Sequence, residues 1–191
     1  MKYLPILALM FLTACGGEDH KVADEPNKEK PLAQSKNSIG FNGQFENFLS
    51  NYYHLKDAFV ASNDTMATSF ATILAASADS LHLKEIKADT SIVEMAGSYV
   101  QTVSSEAKAL VGEKDIESKR KSFQMISDAM YDLVRTVRYD NEVVYHQFCP
   151  MAFNDAGAYW LSSTADIKNP YFGKKMLTCG EVKDSIDFRG K

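Results

Sequence analysis

The chain has 191 residues, 21 basic against 25 acidic, and a formal net charge of −4. No basic tract stands anywhere in it, which argues against nucleic acid or an anionic lipid surface as the main partner. The stretch of about 150 residues that follows the N-terminal region suits one domain around one core.

The first fifteen residues read as an address. Lys2 supplies a short positive region, and Tyr3 to Leu12 form an apolar stretch broken only by Pro5. At about ten residues it is half of what a hydrocarbon core requires of a helix, so it reads as the core of a signal peptide, residues 1–14. Leu12-Thr13-Ala14-Cys15-Gly16 then has the leucine, two small residues and cysteine of a lipobox. That motif predicts cleavage before Cys15 and covalent lipid on its sulfur. Two or three acyl chains, at about 0.8 kcal/mol per buried methylene, hold stably where one does not. Without Lys2 the balance becomes −5. Residues 15–41 carry the lipid site and a polar segment with Pro26 and Pro31 and no apolar periodicity, expected to be a disordered tether. The expected location is the cell envelope, membrane-attached through lipid and by default on the outer membrane facing the periplasm. Glu18 and Asp19, just after the lipid site, leave surface exposure as the alternative.

Residues 42–191 are expected to form a single domain, with a helical bundle over 42–139. Phe45, Phe48, Leu49, Tyr52, Leu55 and Phe59 fall on one helical face. Ser62, Asn63 and Asp64 offer capping oxygens, and a second run carries Met66, Phe70, Ile73, Leu74 and Leu81. Asp89 and Thr90 can cap a third, with Ile92, Ala96, Tyr99, Val100, Val103, Ala107 and Leu110, which Gly112 ends in a left-handed position. Asp115 opens a fourth, with Ile116, Phe123, Ile126, Met130, Leu133 and Val137 inward and Lys119, Arg120 and Lys121 in early polar positions. Asp128, Asp132, Arg135, Arg138 and Asp140 read as a solvated, ion-paired face. The fold class is mainly α: an antiparallel four-helix bundle. No Glu has a His three residues on, so the di-metal carboxylate pattern is missing, and His54 and His82 stand isolated.

The composition changes after Tyr139. Residues 140–191 alternate β-branched and aromatic runs with Gly and Pro, predicting an irregular C-terminal cap with short strands. Cys149 and Cys179 both lie here, each beside a methionine, in Cys149-Pro150-Met151 and Met176-Leu177-Thr178-Cys179, and His146 precedes Cys149 by three. Thiolate, thioether and imidazole suit Cu(I) and Ag(I) better than hard cations. The alternative is equally concrete: with Cys15 taken by lipid, one cysteine pair remains in an oxidising compartment, where pairs become disulfides. Trp160, Tyr171 and Phe172 are expected to seat the cap, with Asn169-Pro170 in a turn and Gly173 free to take positive φ.

The motifs His146-x-x-Cys149-Pro150-Met151-Ala152, Gly157-Ala158-x-Trp160-Leu161-Ser162, Ile167-x-Asn169-Pro170-Tyr171-Phe172-Gly173 and Met176-Leu177-x-Cys179-Gly180 resemble a bacterial domain-of-unknown-function family. Looser similarity runs through Tyr52-Tyr53-x-Leu55-Lys56-Asp57-Ala58 and Lys119 to Phe123, so that the resemblance spans roughly residues 45–186. Its members occur as stand-alone exported lipoproteins and as a C-terminal module of periplasmic adaptors in copper and silver efflux systems. The resemblance implies copper or silver handling, with Cys149, Met151, Met176, Cys179 and His146 at the soft-donor positions. The expected function is therefore a tethered Cu(I) or Ag(I) module whose partner is an efflux adaptor or another envelope protein. The rival is a structural lipoprotein with a Cys149–Cys179 disulfide and no metal. No C-x-x-C, Ser-His-Asp order or paired carboxylates suggest an enzyme.

Overall fold

A computed structural model describes residues 37–190. The expected signal peptide, Cys15 and most of the expected tether lie outside the described residues. Four long helices follow in order: α1 (Ile39–Val60), α2 (Asp64–Asp79), α3 (Thr90–Gly112) and α4 (Ile116–Val137). Three strands close the chain: β1 (Val144–Cys149), β2 (Ala158–Ser162) and β3 (Glu181–Ile186). Among the described residues no helix is long and apolar enough to cross a membrane.

Capping chemistry fixes the helix starts. The side chains of Ser38, Asn63 and Asp115 each accept a bond from a backbone amide three residues on, supplying orphan donors of the first turn. Ser38 moves the start of the domain ahead of residue 42. Phe41, one turn before Phe45, is fully buried, and Asn37 donates to the Val137 carbonyl at 3.0 Å. Asn42 likewise donates to Asp140 and Asn141, tying the start of α1 to the end of α4. Residues 37–41 thus belong to the folded body, since a buried aromatic at helical spacing outweighs the polar residues around it.

Each helix packs along the next in the sequence, but α1 and α4 touch at only a few points. Strand β2 fills the seam between them. Tyr52 of α1 is the pin: its hydroxyl accepts from the Leu161 amide at 2.9 Å and bonds Ser127 Oγ of α4 at 2.8 Å. Leu161 lies on the outer edge of the sheet, so this hydroxyl also satisfies a backbone donor that an edge strand leaves open. Phe123 of α4 stacks on Tyr52 at 5.5 Å and meets Phe59 at 4.9 Å.

The cap is more regular than its Gly and Pro content predicts. The sheet order is β2-β1-β3, antiparallel throughout, with a bulge on β3 opposite His146 and Gln147. Between β1 and β2, Phe153, Asn154 and Asp155 take φ values of 54°, 58° and 66°, a single left-handed turn. Asn and Asp tolerate that region, but a bulky residue does not, and left-handed helix costs roughly 1–2 kcal/mol per residue.

Three helical expectations change in detail. Gly112 is the last residue of α3, and the chain leaves through an extended Glu113. The left-handed C-cap falls instead on Arg138 at the end of α4. Lys119 and Arg120 are buried, 3% and 4% exposed. Lys119 binds both carboxylate oxygens of Asp64 and the Thr68 hydroxyl, while Arg120 donates to the carbonyls of Pro170 and Phe59 and to Ser62. Arg135 and Arg138, read as members of an ion-paired face, lie over the rings of Tyr131 and Phe188.

Candidate functional site: a cysteine pair under a folded loop

Strand alternation sorts the candidate residues onto two faces. His146 pairs with Leu161 and Phe148 with Tyr159 on one face; Gln147 pairs with Trp160 and Cys149 with Ala158 on the other. The first face meets α4. The second is covered by the long loop from Ser163 to Gly180, which returns Cys179 to the end of β1.

Asn169 builds that loop. It is fully buried, its Nδ2 donates to the Cys179 carbonyl at 2.8 Å, and its Oδ1 accepts from the amides of Tyr171 and Phe172. Its own amide donates to the Leu177 carbonyl at 2.8 Å. One residue thus ties the Pro170 turn to the returning end of the loop at Leu177 and Cys179. Gly180 allows the last approach: at φ +141°, a Cβ there would lie 2.7 Å from the Phe148 carbonyl and 2.9 Å from the Trp160 ring. The result places Cys149 Sγ 3.2 Å from Cys179 Sγ. Cys149 is buried and Cys179 half-buried. The hydrogen bond with Cys149, then burial, then the neighbouring charge push the Cys179 thiol above its ordinary range.

The other candidate donors are placed differently. Met176 is half-buried in the turn before Cys179, whose amide donates to the Met176 carbonyl at 3.1 Å. Met151 is exposed, 44%, at the turn after β1. His146 is on the opposite face from Cys149, because three residues along a strand reverse the side. Its ring is stacked between Tyr131 at 3.8 Å and Tyr159 at 4.5 Å, and Tyr159 in turn meets Phe148. Burial in this column pulls the imidazole down to about 4, against the favourable charge of Asp184. Among the described residues no three His, Cys, Asp or Glu side chains converge on a metal position.

Two buried polar atoms belong to residues on the same sheet face as Cys149. Gln147 Oε1 and Trp160 Nε1, on residues paired across β1 and β2, have no hydrogen-bond partner among the described residues. Gln147 Nε2 is satisfied by the carbonyls of Thr164 and Asp166. Sequence reasoning left Gln147 aside and gave Asn169 only a turn role. The Asn-Pro dipeptide announced the turn but not the three bonds that brace it.

Fold and site define a helical domain whose open seam is closed by a small cysteine-bearing sheet. Residues 48–142 match the model of a family described as Protein of unknown function (DUF3347). The match covers most of the helical body and stops before β1, so neither cysteine lies inside it. No curated protein and no solved structure matches the chain.

Proposed function

We propose that the protein is a lipid-anchored envelope module whose Cys149–Cys179 pair, when reduced, holds one Cu(I) or Ag(I) ion for buffering or delivery to an efflux system. The observation that carries this reading is the meeting of two thiols thirty residues apart, at 3.2 Å, under a loop braced by a buried asparagine. Two thiolates select soft monovalent ions, and a thioether from Met176 adds a donor of the same kind. A metal–sulfur bond of about 2.3 Å puts two thiolates on one ion roughly 3.8 Å apart or more. The sulfurs must therefore part slightly, and the half-buried Cys179 is the side with room to move. Because Cys179 holds its proton more firmly than a free thiol, uptake releases protons and weakens as pH falls. The reduced full chain is expected to take up about one Cu(I) per molecule. Cys149→Ser or Cys179→Ser should abolish uptake, and Met176→Leu should weaken it. Undiminished Cu(I) affinity in the double Cys→Ser variant sinks the proposal.

The short sulfur separation favours a second reading, in which the pair is oxidised and the cap serves as an interaction surface. A disulfide needs about 2.05 Å between sulfurs, and exported pairs are commonly oxidised. Closing a loop of thirty residues restricts the unfolded chain enough to stabilise by about 3.6 kcal/mol on the entropy model. Urea denaturation with and without reductant should show that difference, and equal midpoints would remove this reading. Thiol titration of unreduced protein separates the two: no free thiol, and no Cu(I) uptake after mild reduction, leaves the structural role.

A further inference from the structure

We infer that a cleft beside the cysteine-bearing strand binds a small organic ammonium ion. The cleft measures about 420 Å³ and lies between the start of α4, the left-handed turn after β1 and the turn after Pro170. Met151, Phe153, Tyr171 and Phe172 line it, with the carboxylates of Glu117 and Asp155 beside them. The volume is that of a small-molecule site.

The lining has the chemistry of one ligand class. Aromatic faces attract a cation through the ring quadrupole and also accept its methyl or methylene groups. A thioether adds a polarisable apolar contact. Among the described residues no Lys or Arg lines the cleft. Arg120 pairs with Glu117 from the buried side, so that carboxylate is held in place and partly neutralised. Asp155 carries the remaining negative charge. A neutral apolar guest would leave that charge facing it, and an anion would be repelled. A compact cation with an apolar body meets every wall.

The backbone makes the same point independently. Strained non-glycine conformations persist where surrounding structure holds them, and they gather at ligand clamps. Three successive left-handed residues form this wall. The strained residue with no polar side chain to excuse it, Phe153, puts its ring edge-on against Tyr171 at 5.3 Å. Tyr171 is fixed in turn by Phe123 and Trp160, and its hydroxyl donates to the Tyr159 carbonyl. The turn is closed by the Gly157 amide on the Ala152 carbonyl at 2.9 Å. The wall is therefore formed before any guest arrives. This site uses neither cysteine, and of the soft-donor positions it takes in only the exposed Met151.

Calorimetric titration of the full chain in non-ionic detergent tests it, with choline against its neutral isostere 3,3-dimethylbutan-1-ol. Choline is expected to bind about tenfold more tightly than the isostere. Asp155→Asn, which keeps a residue tolerant of the left-handed turn, should weaken choline about fivefold with an unchanged thermal midpoint. Phe153→Leu should weaken it too, and if that variant melts early, Asp155→Asn still decides. Equal binding of the two probes, or no choline binding at millimolar concentration, overturns the proposal. So does capture by phosphatidylcholine vesicles without binding of free choline, which would assign the cleft to a lipid headgroup.

Discussion

Tyr52→Phe removes one oxygen and leaves the ring packing in place, so it isolates the polar pin of the seam. The hydroxyl accepts from the Leu161 amide at 2.9 Å and bonds Ser127 at 2.8 Å, and all three groups are buried. Burial also holds the phenol far above the ordinary tyrosine range, so it acts there as a neutral donor and acceptor. Without it the Leu161 N–H has no partner on the outer edge of the sheet, a loss of about 1–3 kcal/mol for the stranded donor plus about 1 kcal/mol for the bond to Ser127. The expected destabilisation is roughly 2–4 kcal/mol. Ser127→Ala strands the Tyr52 O–H in its turn, while Ser127 itself gives up only the bond to the Phe123 carbonyl. The two substitutions share one network, so the double variant should be more stable than the sum predicts by about 1 kcal/mol. Equilibrium urea unfolding followed by circular dichroism, with unchanged slope, reads both numbers. A Tyr52→Phe variant within about 0.5 kcal/mol of the parent, or strict additivity in the cycle, would refute the claim that this hydroxyl fastens β2 to the helices.

His146 gives a pH test. Its pKa falls from 6.5 to about 4 on folding, so the unfolded chain takes a proton that the folded one refuses. Stability is level above the unfolded value and declines as pH drops from about 6.5 to about 4. Because the imidazole is only half-buried, the decline is discounted for solvent to roughly 1–2 kcal/mol. His146→Phe keeps a ring in the column and should lose that part of the slope, and identical pH profiles for both proteins would contradict the assignment. Gly180→Ala forces a Cβ against the Phe148 carbonyl and the Trp160 ring and should cost roughly 2–4 kcal/mol. It should also speed the reaction of Cys179 with a thiol reagent; parent-like stability and reactivity would show that loop and strand are not tightly joined there.

The helices were legible because one face carries the core at a spacing of three and four, and because Ser, Asn and Asp stand where first turns need acceptors. The sheet was not. β3 is exposed at every position but Ile186, so it shows no apolar alternation to read. The run Lys119 to Lys121 looks like a solvated patch, and only the return of Pro170 and Asp64 shows two of its members to be buried bridges. The cysteine pair was legible as a pair, since two of the three cysteines stand together in the C-terminal segment. The role of His146 was not, because spacing of three puts two residues together on a helix and apart on a strand.

The seam has a temporal consequence. Tyr52 and Leu161 are separated by 109 residues, and long-range closure of that kind is slow relative to helix formation. Helices can form early, but the groove between the first and the last of them stays open until the final quarter of the chain has folded onto it. A chain halted after α4 would expose Tyr52, Phe59 and Phe123 to solvent, an adhesive surface in a crowded compartment. The stretch that carries the family match is thus the larger part of the domain, and part of its core is covered only by the segment that follows.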